Sequence, residues 1–327
     1  MLLLTRRDVE ALLDPDRLID AVADAMVDLS AGTAAMPPRV AAAVDGRDAF
    51  LAAMPAYLPG AGALTTKLVS VFPHNHDVGL PSHQALIVAF DPDTGTPTAV
   101  MDGTHITAMR TAAGSALSAR LLARPDASVL AILGTGVQAG SHGLMLPRVR
   151  AFHEGRIAGR DPAKAAALAG RLSVATGVPF APAASFEEAV DAAHVVCATT
   201  HSPEPVVRRA WLAPGAHVTS VSFHPDGGEI DADTVTSSLV VVESRASSLA
   251  PFPAGASELA GPIRDGLLDP ADVVEIGEIV AGARAGRTSP EQLTLYKSVG
   301  VAVQDAAAAA LVLEAALTSG AGANLPL

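Results

Sequence analysis

The most regular hydrophobic pattern lies mid-chain, where a short apolar run is followed by a glycine turn and a helical pattern. Val129 to Leu133 are apolar β-formers, Gly134 and Gly136 form the turn, and a helix-compatible segment starts near Val137. Downstream, apolar runs alternate with helical stretches of crossover length, such as GRIAGR followed by DPAKAAALAGRL. Because parallel strands need such crossovers, this alternation predicts a right-handed, doubly wound parallel sheet.

The pattern before this region predicts a different architecture. Two amphipathic helices are expected at 6–13 and 15–31, followed by short β-like runs between residues 36 and 97. Clusters of Gly, Pro, Asn and Asp separate those runs, which is typical of a mixed sheet. A helical stretch from Thr107 to Pro125 links the two regions, and an Ala-rich helix at Val301 to Leu317 can pack back on the first. We therefore predict an α/β chain with one domain of residues 1–125 and 301–327, and a Rossmann domain of residues 126–300.

Composition narrows the class of protein. The chain has 327 residues, half of them hydrophobic, which suits about two domains of ~150 residues each. Its formal net charge of −12, with no basic run, argues against nucleic acid or an anionic membrane as partner. The single cysteine, Cys197, excludes an intramolecular disulfide, so we expect a cytoplasmic protein. No run reaches the ~18 apolar residues of a membrane helix. An anionic substrate would therefore need a local group of cations.

The glycine turn reads G-x-G-x-x-A, with Ala139 where the dinucleotide-binding fingerprint usually has its third glycine. Gly134 permits the tight turn, Gly136 lets the backbone approach a pyrophosphate, and Ala139 keeps the helix close to the sheet. The helix N-terminus, from Val137, offers unpaired N–H groups to the phosphates. The alternative is a glycine turn that serves packing alone, but the flanking strand and helix favour a dinucleotide site.

Several further motifs are spaced along the whole chain. They are PPR at 37–39, MPAYL at 54–58, TKLVSVFPHN at 66–75, MDGTHITAMRTAA at 101–113, LGTGVQA at 133–139, VSFHPDGGEID at 221–231 and LYKSVGVAVQD at 295–305. Together and in this order they resemble the ornithine cyclodeaminase and μ-crystallin family. The resemblance implies a Rossmann domain that binds NAD(H) or NADP(H), and a second, α+β domain for substrate binding and homodimerisation, completed by the C-terminal helix. Members act as cyclodeaminases, alanine dehydrogenases, opine-type dehydrogenases or ketimine reductases.

Three cations are candidates for substrate binding. The resemblance implies that Arg39, Lys67 and Arg110 surround the α-carboxylate of an amino or imino acid. A guanidinium can hold a carboxylate through two hydrogen bonds, and a lysine adds a compact charge and a proton source. The alternative is a set of solvated surface charges, although Lys67 lies in the apolar run TTKLVSV and an inward lysine needs a partner.

The resemblance also implies residues along the cofactor. Thr111 matches a position that meets the cofactor phosphate, and Gln138 one that lies along the pyrophosphate. Thr199 and Thr200 end an apolar strand at the carboxyl edge of the predicted sheet, and Ser222 is the second residue of the motif VSFHPDGGEID. Each has a simpler alternative, namely a residue of a helix N-terminal turn for Thr111, a solvent-facing helix residue for Gln138, and turn hydroxyls for the two threonines.

The end of the second Rossmann strand predicts the choice of cofactor. NAD-preferring members have an acidic residue there, whereas this chain has Gly159 followed by Arg160. An arginine suits a 2′-phosphate, and Lys164 one turn later can assist, so NADP(H) is preferred. Asp161 keeps NAD(H) possible, unless it only caps the next helix.

One motif departs from the cyclodeaminase pattern. Where cyclodeaminases have an aspartate near the start of VSFHPDGGEID, this chain has His224, with Asp226 as a weaker alternative. A histidine can donate a proton to an imine nitrogen, and Lys67 can share that role. His74 and His76 have H-x-H spacing, but no third ligand follows, so no metal site is predicted.

The predicted function is an NADP(H)-dependent oxidoreductase that reduces the C=N bond of a small, often cyclic α-imino acid, or catalyses the reverse oxidation of an amino acid. Lys67 and His224 are the predicted catalytic residues. The alternatives are an ornithine or lysine cyclodeaminase with recycled NAD, and a non-catalytic ligand-binding protein.

Overall fold

The structure is a computed structural model that describes residues 1–222, 224, 227–251 and 254–326, and His76 by its backbone only. The strands are β1 (Leu2–Leu4), β2 (Val40–Ala43), β3 (Phe50–Leu58), β4 (Ala63–Val71), β5 (His83–Phe90), β6 (Pro97–Asp102), β7 (Val129–Leu133), β8 (Glu154–Ala158), β9 (Phe180–Pro182), β10 (Val195–Ala198), β11 (His217–Ser220), β12 (Ser238–Val242), β13 (Val274–Glu275), β14 (Leu293–Lys297) and β15 (Ala323–Asn324). The helices are α1 (Arg6–Leu12), α2 (Pro15–Ser30), α3 (Gly103–Leu122), α4 (Val137–Met145), α5 (Pro162–Thr176), α6 (Phe186–Val190), α7 (Ala232–Thr236), α8 (Arg245–Ser248), α9 (Ser257–Arg264), α10 (Ile276–Val280) and α11 (Ala302–Ser319).

The chain divides into two compact units. The first contains Met1–Arg110 and Val301–Leu327, and the second contains Thr111–Gly300. The division falls within α3, whereas the predicted boundary, residue 125, lies just beyond the end of that helix.

The first unit contains a mixed seven-stranded sheet with the order β15-β1-β6-β5-β4-β3-β2. β1 pairs parallel with β6, while β2 to β6 pair as antiparallel neighbours. Alternate residues of β3 and β4 are buried on one face, where α11 packs on both strands and on α2. Leu51, Leu68 and Leu86 are exposed on the opposite face. The two-residue period of the strands thus gives this sheet one covered and one open face.

Helix α11 is apolar along most of its length. By length and composition it could cross a membrane, although the sequence pattern predicted no such helix. However, 56 % of it is buried inside the protein, as in the core helix of a folded domain. Its first turn carries Gln304 and Asp305 into the interior.

Helix α3 begins at Gly103, one turn before its predicted start at Thr107. The Asp102 side chain accepts a hydrogen bond from the backbone N–H of His105 at 2.7 Å, which caps the first turn. A Cβ on Gly103 would lie 3.0 Å from Ala85, so a larger residue there would require β5 to shift slightly. Thr111 therefore lies in the interior of α3, which corrects its predicted place at the helix start.

The second unit contains an eight-stranded sheet with the order β13-β12-β14-β11-β10-β7-β8-β9, and its strand pairs are parallel. The strand order reverses between β7 and β10, the switch point at which doubly wound sheets bind ligands. Apolar residues of β7, β10, β11, β12 and β14 form one continuous core cluster. The predicted fold class, a Rossmann parallel sheet with a second α+β domain, is confirmed.

Candidate active site

Two cations of the first unit meet one buried carboxylate. Lys67 lies on the covered face of β4, because its neighbours at positions 65 and 69 are also buried on that side. Its Nζ is 2.7 Å from Oδ2 of Asp305, and Nε of Arg110 donates to Oδ1 of the same residue at 3.0 Å. Arg110 also donates from Nη1 to Oε1 of Gln304 at 2.9 Å. We call Lys67, Arg110 and Asp305 the cationic cluster.

Burial controls the protonation of this cluster. Lys67, Arg110 and Asp305 expose only 2 %, 4 % and 1 % of their surface. Burial lowers the pKa of Lys67 to about 8. The negative charge of Asp305 acts to raise this pKa, whereas the positive charges of Arg110 and Arg39 lower it further. Burial alone would raise the pKa of Asp305, but the charges of Arg110 and Lys67 outweigh it and hold that pKa below its usual value. The Asp305 carboxylate is therefore ionised, and Lys67 gains or loses its proton close to neutral pH.

Arg39 and His83 lie at the edge of the cationic cluster. Arg39, before β2, is half-buried and close enough to Lys67 to affect its charge. His83 opens β5, and its pKa is lowered to about 4 by burial and then by the charges of Lys67 and Arg110. His83 is therefore neutral at physiological pH. The three cations predicted for a carboxylate thus lie together, with a neutral histidine beside them.

The glycine turn of the second unit has the shape that a pyrophosphate needs. Gly134 has a φ of +126°, and a Cβ there would lie 2.7 Å from Oγ1 of Thr199. Nothing lies within 4 Å of a Cβ built on Gly136, and Val137 is 72 % exposed, so the N-terminus of α4 is open. Oε1 of Gln138 is buried and has no hydrogen-bond partner in the described part of the chain. The tight turn and the open helix N-terminus agree with the predicted dinucleotide site, which stays a prediction at the level of individual residues.

The residues after β8 bear on the choice of cofactor. Asp161 accepts hydrogen bonds from the backbone N–H groups of Ala163 and Lys164 at 3.0 and 3.2 Å, so its role as the cap of α5 is confirmed. A Cβ on Gly159 would lie 2.6 Å from Cγ2 of Thr135. Arg160 is exposed beside them.

Thr199 and Thr200 lie at the carboxyl end of β10, as predicted, and Ser222 lies just beyond the carboxyl end of β11. The hydroxyl groups of all three bind protein atoms. Thr199 Oγ1 donates to the Leu133 carbonyl at 2.8 Å. Thr200 donates from its backbone N–H and, at 2.7 Å, from Oγ1 to Oε1 of Glu229. Ser222 Oγ donates to Oε1 of Glu258 at 3.0 Å. Their roles toward a cofactor remain predictions.

A second buried ionic group surrounds these residues. Lys297, at the end of β14, is 2.8 Å from Oε1 of Glu258 and donates to Ser220 Oγ at 3.0 Å and to the Ser222 carbonyl at 2.9 Å. Ser220 Oγ in turn donates to Oε2 of Glu229 at 3.2 Å. Burial raises the pKa of Glu229, although the charge of Lys297 opposes this. We call Lys297, Glu258 and Glu229 the acidic cluster.

His224, the second predicted proton donor, is half-buried. Its ring centroid lies 5.3 Å from that of His201, and its carbonyl accepts a hydrogen bond from Ser257 Oγ at 2.6 Å. Asp226 lies outside the described residues. His74 is 3.8 Å from Asp77, and the described residues contain no group of three His, Cys, Asp or Glu side chains suited to a metal ion.

Comparison with known proteins decides the family. The model of the ornithine cyclodeaminase/mu-crystallin family matches residues 1–320. The chain belongs to this family. A similar protein is the ketimine reductase mu-crystallin of Mus musculus, which is 38 % identical to this chain over 285 residues. The match covers 86 % of each chain.

Two solved structures resemble the chain over its full length. The Δ1-pyrroline-2-carboxylate reductase of Thermococcus litoralis, in complex with NADH and L-proline, is 36 % identical with a TM-score of 0.94, and covers 99 % of this chain and 100 % of that one. An archaeal alanine dehydrogenase dimer with bound NAD is 32 % identical with a TM-score of 0.92, and covers 100 % of this chain and 99 % of that one. The proteins similar to this chain are thus NAD(P)H-dependent imine reductases and an alanine dehydrogenase, which agrees with the predicted class of enzyme.

Several residues of the site were not predicted from the sequence. Asp305 and Gln304 end the LYKSVGVAVQD motif, which was recognised without a role for them. His83 follows the two histidines that were considered. Glu229 and Lys297 also lie in recognised motifs. Charged residues in otherwise apolar strands or helices are a usable signal, which was applied to Lys67 but not to Lys297 or Asp305.

Proposed function

We propose that the protein is an NADP(H)-dependent oxidoreductase that reduces the C=N bond of a small α-imino acid, such as a cyclic pyrroline- or piperideine-2-carboxylate, or oxidises the corresponding amino acid. The observation that carries this proposal is the cationic cluster. Lys67 and Arg110 bring two positive charges to one buried carboxylate, Asp305. An anionic ligand would balance the remaining charge.

The reaction needs two functions from the protein, namely a binding site for the substrate carboxylate and a proton donor for the imine nitrogen. Arg110 and Arg39 hold the substrate carboxylate, which fixes the imine relative to Lys67. Lys67 donates a proton to the imine nitrogen, and a pKa of about 8 leaves it mostly protonated at neutral pH yet a much stronger acid than an ordinary lysine. A bound nicotinamide would supply the hydride for the imine carbon, and with the proton from the protein the C=N bond would become a CH–NH bond. His224 is the second candidate for the proton donor.

The second unit would hold the cofactor. The open N-terminus of α4 and the close turn at Gly134 and Gly136 would take the pyrophosphate, with Gln138 alongside it. Val137, Thr111, Thr199, Thr200 and Ser222 complete the proposed set.

NADP(H) is the proposed cofactor because the groups that would select NAD(H) are missing or engaged. Gly159 cannot gain a side chain without displacing Thr135, and Asp161 uses one carboxylate oxygen to cap α5. Arg160 is exposed at the same turn and can pair with a 2′-phosphate, with Lys164 one turn later.

We also propose a homodimer in the cytoplasm. The open face of the sheet in the first unit carries Val40, Leu51, Leu68 and Leu86, and an apolar patch of this kind is typical of a protein interface. A second copy is the proposed occupant, since the similar alanine dehydrogenase is described as a dimer. The free, buried Cys197 agrees with a reducing compartment.

The deciding experiment is an assay of NADPH and NADH oxidation with cyclic imines and with keto acid and amine pairs. We expect turnover with a cyclic imine carboxylate, faster with NADPH than with NADH, and a preference reduced about tenfold or more in Arg160→Ala. Lys164→Ala is the graded control, with a smaller loss.

Two results would contradict the proposal. Release of ammonia from ornithine or lysine without net change in reduced nicotinamide would indicate a cyclodeaminase. Tight nucleotide binding without turnover on any imine would indicate a ligand-binding protein.

A further inference from the structure

Asp305 contacts both proposed substrate-binding groups through different oxygen atoms. Oδ2 is 2.7 Å from Nζ of Lys67, and Oδ1 is 3.0 Å from Nε of Arg110. The three groups come from β4, α3 and α11, and Arg110 and Asp305 are 195 residues apart in the sequence. One carboxylate therefore links three elements of the first unit.

We propose that Asp305 is a positioning residue for imine reduction. It holds the Lys67 ammonium, the proton donor, and the Arg110 guanidinium, which binds the substrate carboxylate, in one fixed arrangement. This inference rests on the function proposed above. Asp305 does not touch the substrate in this proposal, but acts through the two cations.

The geometry explains why such a residue is needed. Lys67 and Arg110 have like charges and are both buried, so they repel each other in a medium that screens poorly. A flexible lysine without a partner would turn away from Arg110 or lose its proton. Asp305 prevents both, while Gln304 holds a second nitrogen of the same guanidinium at 2.9 Å.

The position of Asp305 favours its ionised form. It lies in the first turn of α11, where the helix dipole stabilises a negative charge. The other charged or titratable groups that act on Lys67 are Arg110 from α3, Arg39 from the segment before β2, and His83 from β5. Two of these are cationic and His83 is neutral, so Asp305 supplies the attraction that keeps Lys67 protonated.

The test is the pH profile of kcat/KM for a piperideine-2-carboxylate and NADPH, compared between the wild type and Asp305→Asn. The wild type should lose activity as the pH rises through the Lys67 pKa. Removal of the negative charge lowers that pKa further, so the alkaline limb should move down by about one pH unit or more. We expect kcat at pH 8 to fall at least about tenfold, with KM for NADPH within about twofold of the wild type.

Glu314→Gln is the matched control. It removes the same charge from the same helix, but Glu314 is exposed and pairs with Arg17 at the surface. Its profile should coincide with the wild type. An Asp305→Asn profile that also coincides with the wild type would overturn the proposal.

Asp305→Glu covers the case in which Asp305→Asn does not fold. It keeps the charge but moves the carboxylate by one methylene, so the alkaline limb should stay in place while kcat falls about tenfold. Wild-type kcat and KM in Asp305→Glu would overturn the proposal.

Lys67→Met separates this inference from the proposed function. If the wild type reduces no imine, or Lys67→Met reduces imines at the wild-type rate, the proposed function and its proton donor fail. If Lys67→Met is inactive and Asp305→Asn behaves as the wild type, the role of Asp305 alone fails.

Discussion

The two buried ionic clusters are built from the same kinds of side chain but have opposite charge balance. The cationic cluster has Lys67 and Arg110 around one carboxylate, with Arg39 close by. The acidic cluster has one lysine, Lys297, between two carboxylates. The net charge therefore distinguishes the two clusters.

Their hydrogen bonds differ as well. Lys297 donates to Ser220, Ser222 and Glu258, so its ammonium is fully engaged by the protein. Burial raises the pKa of Glu229, so a proton on that group can balance the acidic cluster without a ligand. The cationic cluster keeps one positive charge in excess as long as Lys67 is protonated. We interpret a cluster whose charges are balanced by protein groups as structural. A cluster with an excess charge is instead a candidate site for a ligand of opposite charge.

Replacing each lysine with methionine should give the largest contrast. Lys297→Met leaves Glu258 buried without its partner, and should destabilise the protein by about 3–5 kcal/mol. Lys67→Met leaves Asp305 paired with Arg110 and removes a like-charge repulsion, so the free energy of unfolding should change by less than about 1.5 kcal/mol while imine reduction is lost. Urea denaturation and the NADPH assay measure both.

The double variant Lys297→Met/Glu258→Gln is the control for coupling. It should recover part of the stability lost in Lys297→Met, because the unpaired charge is gone. Equal unfolding midpoints for the wild type and Lys297→Met would mean that the acidic cluster is not a scaffold.

A carboxylate ligand should stabilise the protein through the cationic cluster. With NADP⁺ present, pyrrole-2-carboxylate at about 100 times its Kd should add about 2.7 kcal/mol, seen as a rise in Tm. Pyrrole-2-carboxamide, which has the same shape without the charge, should give little rise. Arg110→Met should abolish the effect of the carboxylate. An equal rise in Tm with both ligands would contradict the idea that the cationic cluster binds a negative charge.

Proton uptake on binding gives the smallest effect. Lys67 has a pKa of about 8 in the free protein, and a bound carboxylate favours its charged form and raises that pKa. Binding should therefore take up as much as about half a proton at pH 8, and almost none at pH 6, where Lys67 is already charged. Calorimetry in buffers with different ionisation heats measures this number. Proton release at pH 8 would show that the sign is wrong.

Local signals in the sequence predicted the elements around the glycine turn. β7 ends at Leu133 and α4 begins at Val137, as the apolar run and the two glycines indicated. Asp161 had been recognised as a possible cap of α5 because the residues that it binds follow it directly in the chain. The start of α3 was missed by one turn, since a cap by Asp102 and a close contact with Ala85 depend on β5 as much as on the helix itself.

Long-range contacts could not be predicted in this way. The resemblance brought Lys67, Arg110 and Arg39 together, yet the role of Asp305 depends on a partner 195 residues away in the chain. Likewise, Thr199 and Thr200 were predicted to lie along the cofactor, with turn hydroxyls as the alternative. Their binding to Leu133 and Glu229 follows from tertiary packing alone.

The return of the chain to the first unit in α11 has a consequence for biosynthesis. Lys67 and Arg110 leave the ribosome long before Asp305, because the entire second unit is translated between them. During that interval their positive charges have no carboxylate from α11 to neutralise them, and α11 is not yet there to cover β3 and β4. A message truncated before codon 301 would therefore yield a first unit that is a substrate for chaperones and proteases, even where the second unit has folded.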